Sequence, residues 1–201
     1  IEKQNNESSK DTFKIKYIDS IKSWSAPFVM SIANTRVVRR SVELHELNQS
    51  GYGSDFTYKE FMNVKKYSSA LMISIGLAVL GLMIVSPISS LFRKLFTKPG
   101  NGPDKKTRDN GWFESIFIGK NTNNEFYKLR IYGDGDPGYK TTAKFICESA
   151  LCLVKSGGYL ENTNKGGVLT TATGLGDHLI KRLKNADILF EGPEKISKTI
   201  T

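Results

Sequence analysis

Apolar and polar positions alternate with two periods along this chain, and one long stretch has no period at all. A helical period appears three times. Val37, Val38, Leu44 and Leu47 predict a short helix over residues 35–49, closed by Ser50-Gly51. Thr141 or Thr142 caps a second helix running to Ser156, with Ala143, Ile146, Ala150, Leu151 and Val154 as its apolar face. Leu175, Leu179 and Leu183 predict a third over residues 174–185, capped by Thr173. A period of two marks the strands. Phe56, Tyr58, Glu60 and Met62 alternate with Thr57, Lys59 and Phe61, which predicts a strand over 54–62. Residues 112–119 and 125–133 predict a hairpin through 120–124, and 134–139 form a Gly/Pro turn. Residues 157–166 read as a loop, 168–170 as a short extended piece and 188–190 as a last strand, with a frayed tail after Gly192.

The aperiodic stretch runs from Tyr67 to Phe92, 26 residues without a charge. Its first 19 residues, Tyr67–Val85, would span about 28 Å as a helix at roughly 1.5 Å per residue. Ser86-Pro87 breaks it and opens a second helix. There Ile88, Leu91, Phe92, Leu95 and Phe96 share one face, opposite Arg93, Lys94 and Lys98. Three readings stand for 67–96: a monotopic hydrophobic insertion with Ser86-Pro87 as its elbow, a membrane span, and a buried hairpin of a soluble core. On the membrane readings Leu71, Ile75, Leu80, Ile84, Leu91, Phe92, Leu95 and Phe96 enter lipid, while Arg93 and Lys94 face head groups. Residues 98–104 then form a loop.

Charge sharpens this picture. The 201 residues carry a formal +9, and the stretch from Lys59 to Arg108 holds nine Lys/Arg against two Asp/Glu, a local +7. Basic charge beside apolar sequence points to an anionic membrane surface more than to nucleic acid, and the unpaired cysteines fit a cytosol-facing location. Two cysteines exclude a disulfide framework, and with two distant histidines no metal site is expected. Cys147 and Cys152 read as small core residues, His45 and His178 as helix-face residues. The polar start, residues 1–22, reads as a linker, so the sequence is expected to be the C-terminal part of a longer protein. Residues 23–66 and 97–165 then form one α+β domain around a mixed or antiparallel sheet, built from 54–62, 112–119 and 125–133 and covered by the 141–156 helix. Residues 67–96 form a membrane-associating insertion, 166–192 a C-terminal segment and 193–201 a tail.

Candidate chemistry is sparse. Asn34, Arg36 and Arg39, with Arg40, place amide and guanidinium groups near a helix N-terminus, where a carboxylate or phosphate is favoured. A solvated basic face paired to Glu43 or Glu46 is the alternative. Tyr139 beside Lys140 invites a proton relay, but adjacent helical residues point about 100° apart, so a packing tyrosine is the expectation. Asp134 and Asp136 bracket Gly135 as a structural turn. Gly174-Leu175-Gly176 lacks the third glycine and the preceding strand of a dinucleotide loop. No acid/base or nucleophile set is complete, so catalytic residues remain unassigned.

Several segments together carry a resemblance: Pro27-Phe28-Val29-Met30, the Asn34-Thr35-Arg36-Val37-Val38-Arg39-Arg40-Ser41 run, residues 52–62, Lys98-Pro99-Gly100 with Gly102-Pro103, residues 133–142, and Gly166-Gly167-Val168-Leu169-Thr170-Thr171-Ala172. In order and spacing they resemble the C-terminal half of the saccharopine dehydrogenase-like oxidoreductases, a family that includes trans-acting enoyl reductases. Thr171 departs from that pattern, which carries Pro there. The resemblance implies the second, substrate-side domain of a two-domain enzyme, with residues 166–192 packing back on a dinucleotide-binding domain that precedes this sequence. NAD(P) would be bound through that domain and not by this chain alone. It implies a lipid-like or unknown substrate for Asn34, Arg36, Arg39 and Tyr139 to contact. The alternative is a non-catalytic, membrane- or lipid-droplet-associated interaction protein with the same fold; self-association into a homo-oligomer is a further expectation.

Overall fold

The structure, a computed structural model, describes residues 14–47, 51–53, 56–86, 100–156 and 167–196. It is α+β, with two three-stranded antiparallel sheets and five helices. The chain divides into two compact units, residues 1–101 with 199–201, and Gly102–Lys198.

In the first unit, strand β1 (Tyr17–Ile18) turns through a 3-10 turn at Asp19–Ile21 into β2 (Ser23–Ala26), which pairs on its other side with β3 (Met62–Val64). Lys22 closes the turn in the left-handed region, φ 50°. The expected strand over 54–62 is corrected: only Met62 of it joins a ladder, residues 56–61 form no strand, and 54–55 lie outside the described residues. Its alternation serves another partner. Helix α1 (Ser31–Leu47) starts four residues earlier than its apolar pattern predicts. Asn34 bonds to Glu60, and the His45 ring meets Tyr52 edge-on, so Glu60 lies against the N-terminal half of α1 and Tyr52 against its C-terminal end.

Helix α1 turns small polar residues inward. Ser31, Thr35 and Ser41 are buried, while Val29 and Met30 before it, and Ile32, Val37 and Leu47 on it, are exposed. Thr35 Oγ1 donates to the Ser31 carbonyl at 2.6 Å and Ser41 Oγ to that of Val37 at 3.0 Å, so the buried hydroxyls are satisfied within the helix. Helix α2 occupies Tyr67–Val85, as its length and lack of charge predict. It packs on β2 and β3 by its first turns, where Ala70 is fully buried. Beyond that the apolar side chains reach solvent, up to Val85 at 85%. The second amphipathic helix predicted over 88–96 lies outside the described residues.

The second unit is a sheet with helices on one face. Helix α3 (Lys105–Asn110) is capped by Asp104, whose carboxylate accepts from Thr107 N; it falls where the sequence suggested only a loop end. Strands β4 (Trp112–Lys120) and β5 (Phe126–Asp134) make the expected hairpin in full register. Strand β6 (Ile188–Ile196) pairs with β5, replacing the expected frayed tail after Gly192 with an ordered strand. Charge pairs hold that extension: Lys195 to Glu125 at 2.5 Å and Lys128 to Glu194 at 3.9 Å. Gly192, at φ 103°, lies where the register shifts between Lys128 and Arg130, and a Cβ there would lie 2.6 Å from the Lys128 carbonyl oxygen.

Helices α4 (Lys140–Ser156) and α5 (Thr171–Asn185) pack on each other, with Cys152, Leu175 and Leu179 as their common core. Phe145 meets Phe113 edge-on at 5.8 Å, and Gly133 leaves the room that Phe113 and Ile188 fill. Helix α5 is capped by Thr170 through a reciprocal box with Thr173, three residues ahead of the predicted cap, and 168–170 form no strand. The expected inner face of α4 is also corrected. Thr141 and Cys152 are buried, whereas Ile146 is 64% and Val154 83% exposed, with Ala143, Cys147, Ala150 and Leu153 beside them. The inward face is polar because it carries an ion pair. Glu148 meets Arg182 of α5 at 2.6 Å, and Lys144 Nζ donates to the Ala186 carbonyl at the end of α5.

Candidate functional site

The predicted site residues fall in both units. Asn34, Arg36 and Arg39 lie on α1, in the first. Asn34 Nδ2 donates to Glu60 Oε2 at 2.9 Å, and Tyr58 OH donates to Glu60 Oε1 at 2.9 Å. Each carboxylate oxygen of Glu60 therefore has a donor, and the trio ties the extended segment to the N-terminal half of α1. Burial, and then the Glu60 carboxylate, push the Tyr58 phenol well above its usual value. It stays protonated and gives its proton to Glu60, which makes it a positioning group, not an acid at neutral pH. Arg36 folds back onto its own helix, Nη1 donating to the Ile32 carbonyl at 2.6 Å from an exposed position. Arg40 pairs with Glu43 at 3.4 Å, both exposed, which is the solvated reading for that residue. Arg39 is half-buried on the same helix. Sequence reasoning missed Tyr58 and Glu60, although their alternation with Lys59 was visible.

Tyr139 lies in the second unit, at the end of the Asp134–Tyr139 turn. Asp136 organises that turn. Its Oδ2 accepts from Tyr139 N at 2.8 Å, its carbonyl accepts from Thr141 N at 3.0 Å and its own N–H donates to the Arg108 carbonyl at 2.9 Å. The Thr141 hydroxyl donates to the Gly135 carbonyl, and Gly111 runs so close that a Cβ there would lie 2.6 Å from the Asp136 backbone. The Tyr139 ring lies over Gly102 with over half its surface exposed. Lys140 is taken by Asp109 at 2.8 Å, which lowers the Asp109 carboxyl and leaves no Tyr–Lys relay.

The face of the second sheet away from α4 and α5 carries a group that sequence reasoning missed. Arg130 reaches Glu114 Oε1 at 2.5 Å and Glu191 Oε2 at 2.9 Å, joining β4, β5 and β6. Its guanidinium lies 5.2 Å from the Tyr132 ring, which stacks on Trp112 at 6.3 Å. Tyr132 OH donates to Asp134 Oδ1 at 2.7 Å, which raises the phenol. The result is an aromatic platform with Trp112 mostly exposed and a cation already neutralised by two carboxylates. Alternation along the strands was the available signal: Trp112 and Glu114 share a face, as do Arg130 and Tyr132.

No cluster of metal-ligating side chains occurs among the described residues. A depression of about 120 Å³ is lined by Glu148, Arg182, Asn185 and Ala186, small beside the roughly 300–1,000 Å³ of ligand pockets. The Gly174-Leu175-Gly176 stretch sits inside α5, with Gly176 at φ 47° making a kink, and among the described residues no strand leads into it. A dinucleotide loop needs a strand, a glycine turn and a free helix N-terminus. Thr170 already fills that N-terminus, so these residues do not fit a nicotinamide cofactor.

Comparison with known proteins adds a family-level likeness. The chain is 35% identical over 176 residues to a candidate trans-acting enoyl reductase of Mycobacterium tuberculosis, covering 84% of this chain and 41% of that protein. It is 31% identical to a trans-acting enoyl reductase of Mycobacterium bovis (83% of this chain, 40% of that protein) and 29% identical to one of Mycobacterium ulcerans (83% and 40%). No family model and no solved structure matches. The chain spans about two fifths of the length of the curated relatives it matches.

Proposed function

We propose that this chain is the substrate-side portion of a saccharopine dehydrogenase-like, NAD(P)-dependent oxidoreductase, associated with a membrane or lipid-droplet surface and acting on a lipid-like acyl substrate. The observation that carries the reading is the similarity to proteins named trans-acting enoyl reductases over 84% of the chain. The exposed apolar helix α2 supports the lipid side of it. Enoyl reduction adds a hydride to the β-carbon of an α,β-unsaturated acyl group and a proton to its α-carbon. The nicotinamide that supplies the hydride belongs to polypeptide outside the matched stretch, since the residues here do not fit it. What this chain contributes is shape and polarity. The Asn34–Glu60–Tyr58 trio holds Glu60 against α1 in the first unit, and the Asp136 turn presents Tyr139 in the second.

The test is a fluorescence titration of the full-length protein with NADPH and with NADH, followed by absorbance loss at the nicotinamide band on adding a long-chain enoyl thioester. Saturable binding and enoyl-dependent oxidation are expected. Absence of both would make the chain a non-catalytic interaction protein that keeps the fold.

A further inference from the structure

A soluble core helix hides one face and a surface helix shows a polar one. Helix α2 does neither: its 19 residues are apolar on every side, and one of them, Ala70, is buried. What surrounds its base is as informative. Strands β1 and β2 place Tyr17 directly opposite Trp24. The two rings meet edge-to-face at 5.2 Å, and Trp24 meets Tyr67, the first residue of α2, in the same way at 5.0 Å. Three amphipathic aromatics are thus gathered at one end of the helix, and the small sheet is what gathers them. Lys65 and Lys66 are exposed immediately before that end, with Lys22 exposed beside β2 and Lys59 on the approach to β3. No acidic residue lies in the first turn of α2.

We infer that Tyr17, Trp24 and Tyr67 form an interfacial collar, which seats unit 1 on an anionic bilayer with the N-terminal end of α2 at head-group level and its body in the hydrocarbon. The inference rests on the membrane reading proposed above and adds which residues set the depth. Trp and Tyr rings concentrate where the apolar body of a ring can face acyl chains and its polar edge can stay wet. The length agrees: 19 residues rise about 28 Å, close to the roughly 30 Å of a bilayer core. The charge agrees too, because the lysines lie before the collar, where phosphate and serine head groups would meet them. Ala26 and Ala70 are both fully buried where α2 meets β2, so the sheet sits close against the helix and holds the rings at a fixed height.

The experiment uses the 201-residue chain with Trp112→Phe, which leaves Trp24 as the sole tryptophan. The protein is mixed with vesicles of phosphatidylcholine alone, or with one quarter phosphatidylserine, and floated on a density gradient. In floated samples, Trp24 emission is quenched with nitroxide lipids labelled at the head group or near the bilayer centre. Flotation with stronger quenching from the head-group label is expected. Lys65→Gln with Lys66→Gln should lower partitioning onto the anionic vesicles roughly thirtyfold and leave the neutral ones unchanged, from about 1 kcal/mol per basic residue. Flotation with quenching only from the central label, or with none, overturns the collar while leaving the membrane reading standing. Failure to float on either vesicle overturns both, and points to further polypeptide as the cover of α2.

Discussion

The two units differ in what they bury, although both leave apolar side chains exposed, Ile146 and Val154 of α4 among them. The second closes Phe113, Phe145, Ile188, Cys152 and Leu175 between a sheet and two helices, and keeps its ion pairs across the strands. The first buries Ser23, Ser25, Ser31, Thr35, Ala26 and Ala70, and turns Val29, Ile32, Val37, Ile75, Leu82 and Ile84 outward. A core of hydroxyls and methyls gains little from leaving water, since burial stabilises at roughly 25 cal/mol per Å² of apolar area. The second unit therefore has a small apolar core of its own, while the first leaves most of α2 exposed.

The sharpest way to break this contrast is to separate the units. Residues 102–198 alone should unfold cooperatively in plain buffer when followed by circular dichroism. Residues 1–101 should show a comparable transition only with lipid vesicles present. Equal behaviour in buffer would abolish the contrast. Next come matched truncations. Ile188→Ala, at a position only 1% exposed, should lower stability by about 2–5 kcal/mol in urea unfolding. Leu82→Ala, at a side chain 73% exposed, should change it by less than about 0.5 kcal/mol in buffer and instead weaken vesicle flotation. A smaller loss, about 1 kcal/mol, follows from Thr170→Ala, which removes the hydroxyl that caps α5.

The smallest effect is a pH dependence confined to the second unit. Hydrogen bonds from Lys195, then Asn121 and Tyr127, hold the Glu125 carboxyl down at about 2, below its ordinary 4.5. The folded value lies below the unfolded one, so the folded state binds fewer protons in between. The contribution is complete above pH 4.5 and is lost as pH falls towards 2. Glu125→Gln should flatten that part of a urea-midpoint profile taken from pH 6 to pH 2.5. An unchanged slope would remove Glu125 from the account.

Much of the second unit was legible because its strands alternate and its turns are rich in Gly, Pro and Asp. Helix α2 was legible for a simpler reason: no charge interrupts it. What misled was equating the apolar face with the inward face. On α4 the apolar stripe of Ile146, Ala150 and Val154 points out, because the inward side is spent on Glu148, Lys144 and the fit around Cys152. In 54–62 the period of two was real, but among its described residues only Met62 joins a ladder, and Glu60 turns to Asn34 of α1. The site was half-visible. Asn34 could be singled out by its neighbours in sequence, whereas Glu60 and Tyr58 join it across 26 and 24 positions that no local pattern connects.

The order of the second sheet, β4-β5-β6, leaves two outer edges of unequal character. Strand β6 carries Pro193, which has no N–H to offer, among Glu191, Glu194 and Lys195, so its rim resists a neighbour. Strand β4 runs nine residues, Trp112–Lys120, without a proline and with Phe113, Ile116, Phe117 and Ile118 along it. The sheet is thereby lopsided: one border is sealed by chemistry, whereas the other, among the described residues, is an unbroken run of backbone donors and acceptors.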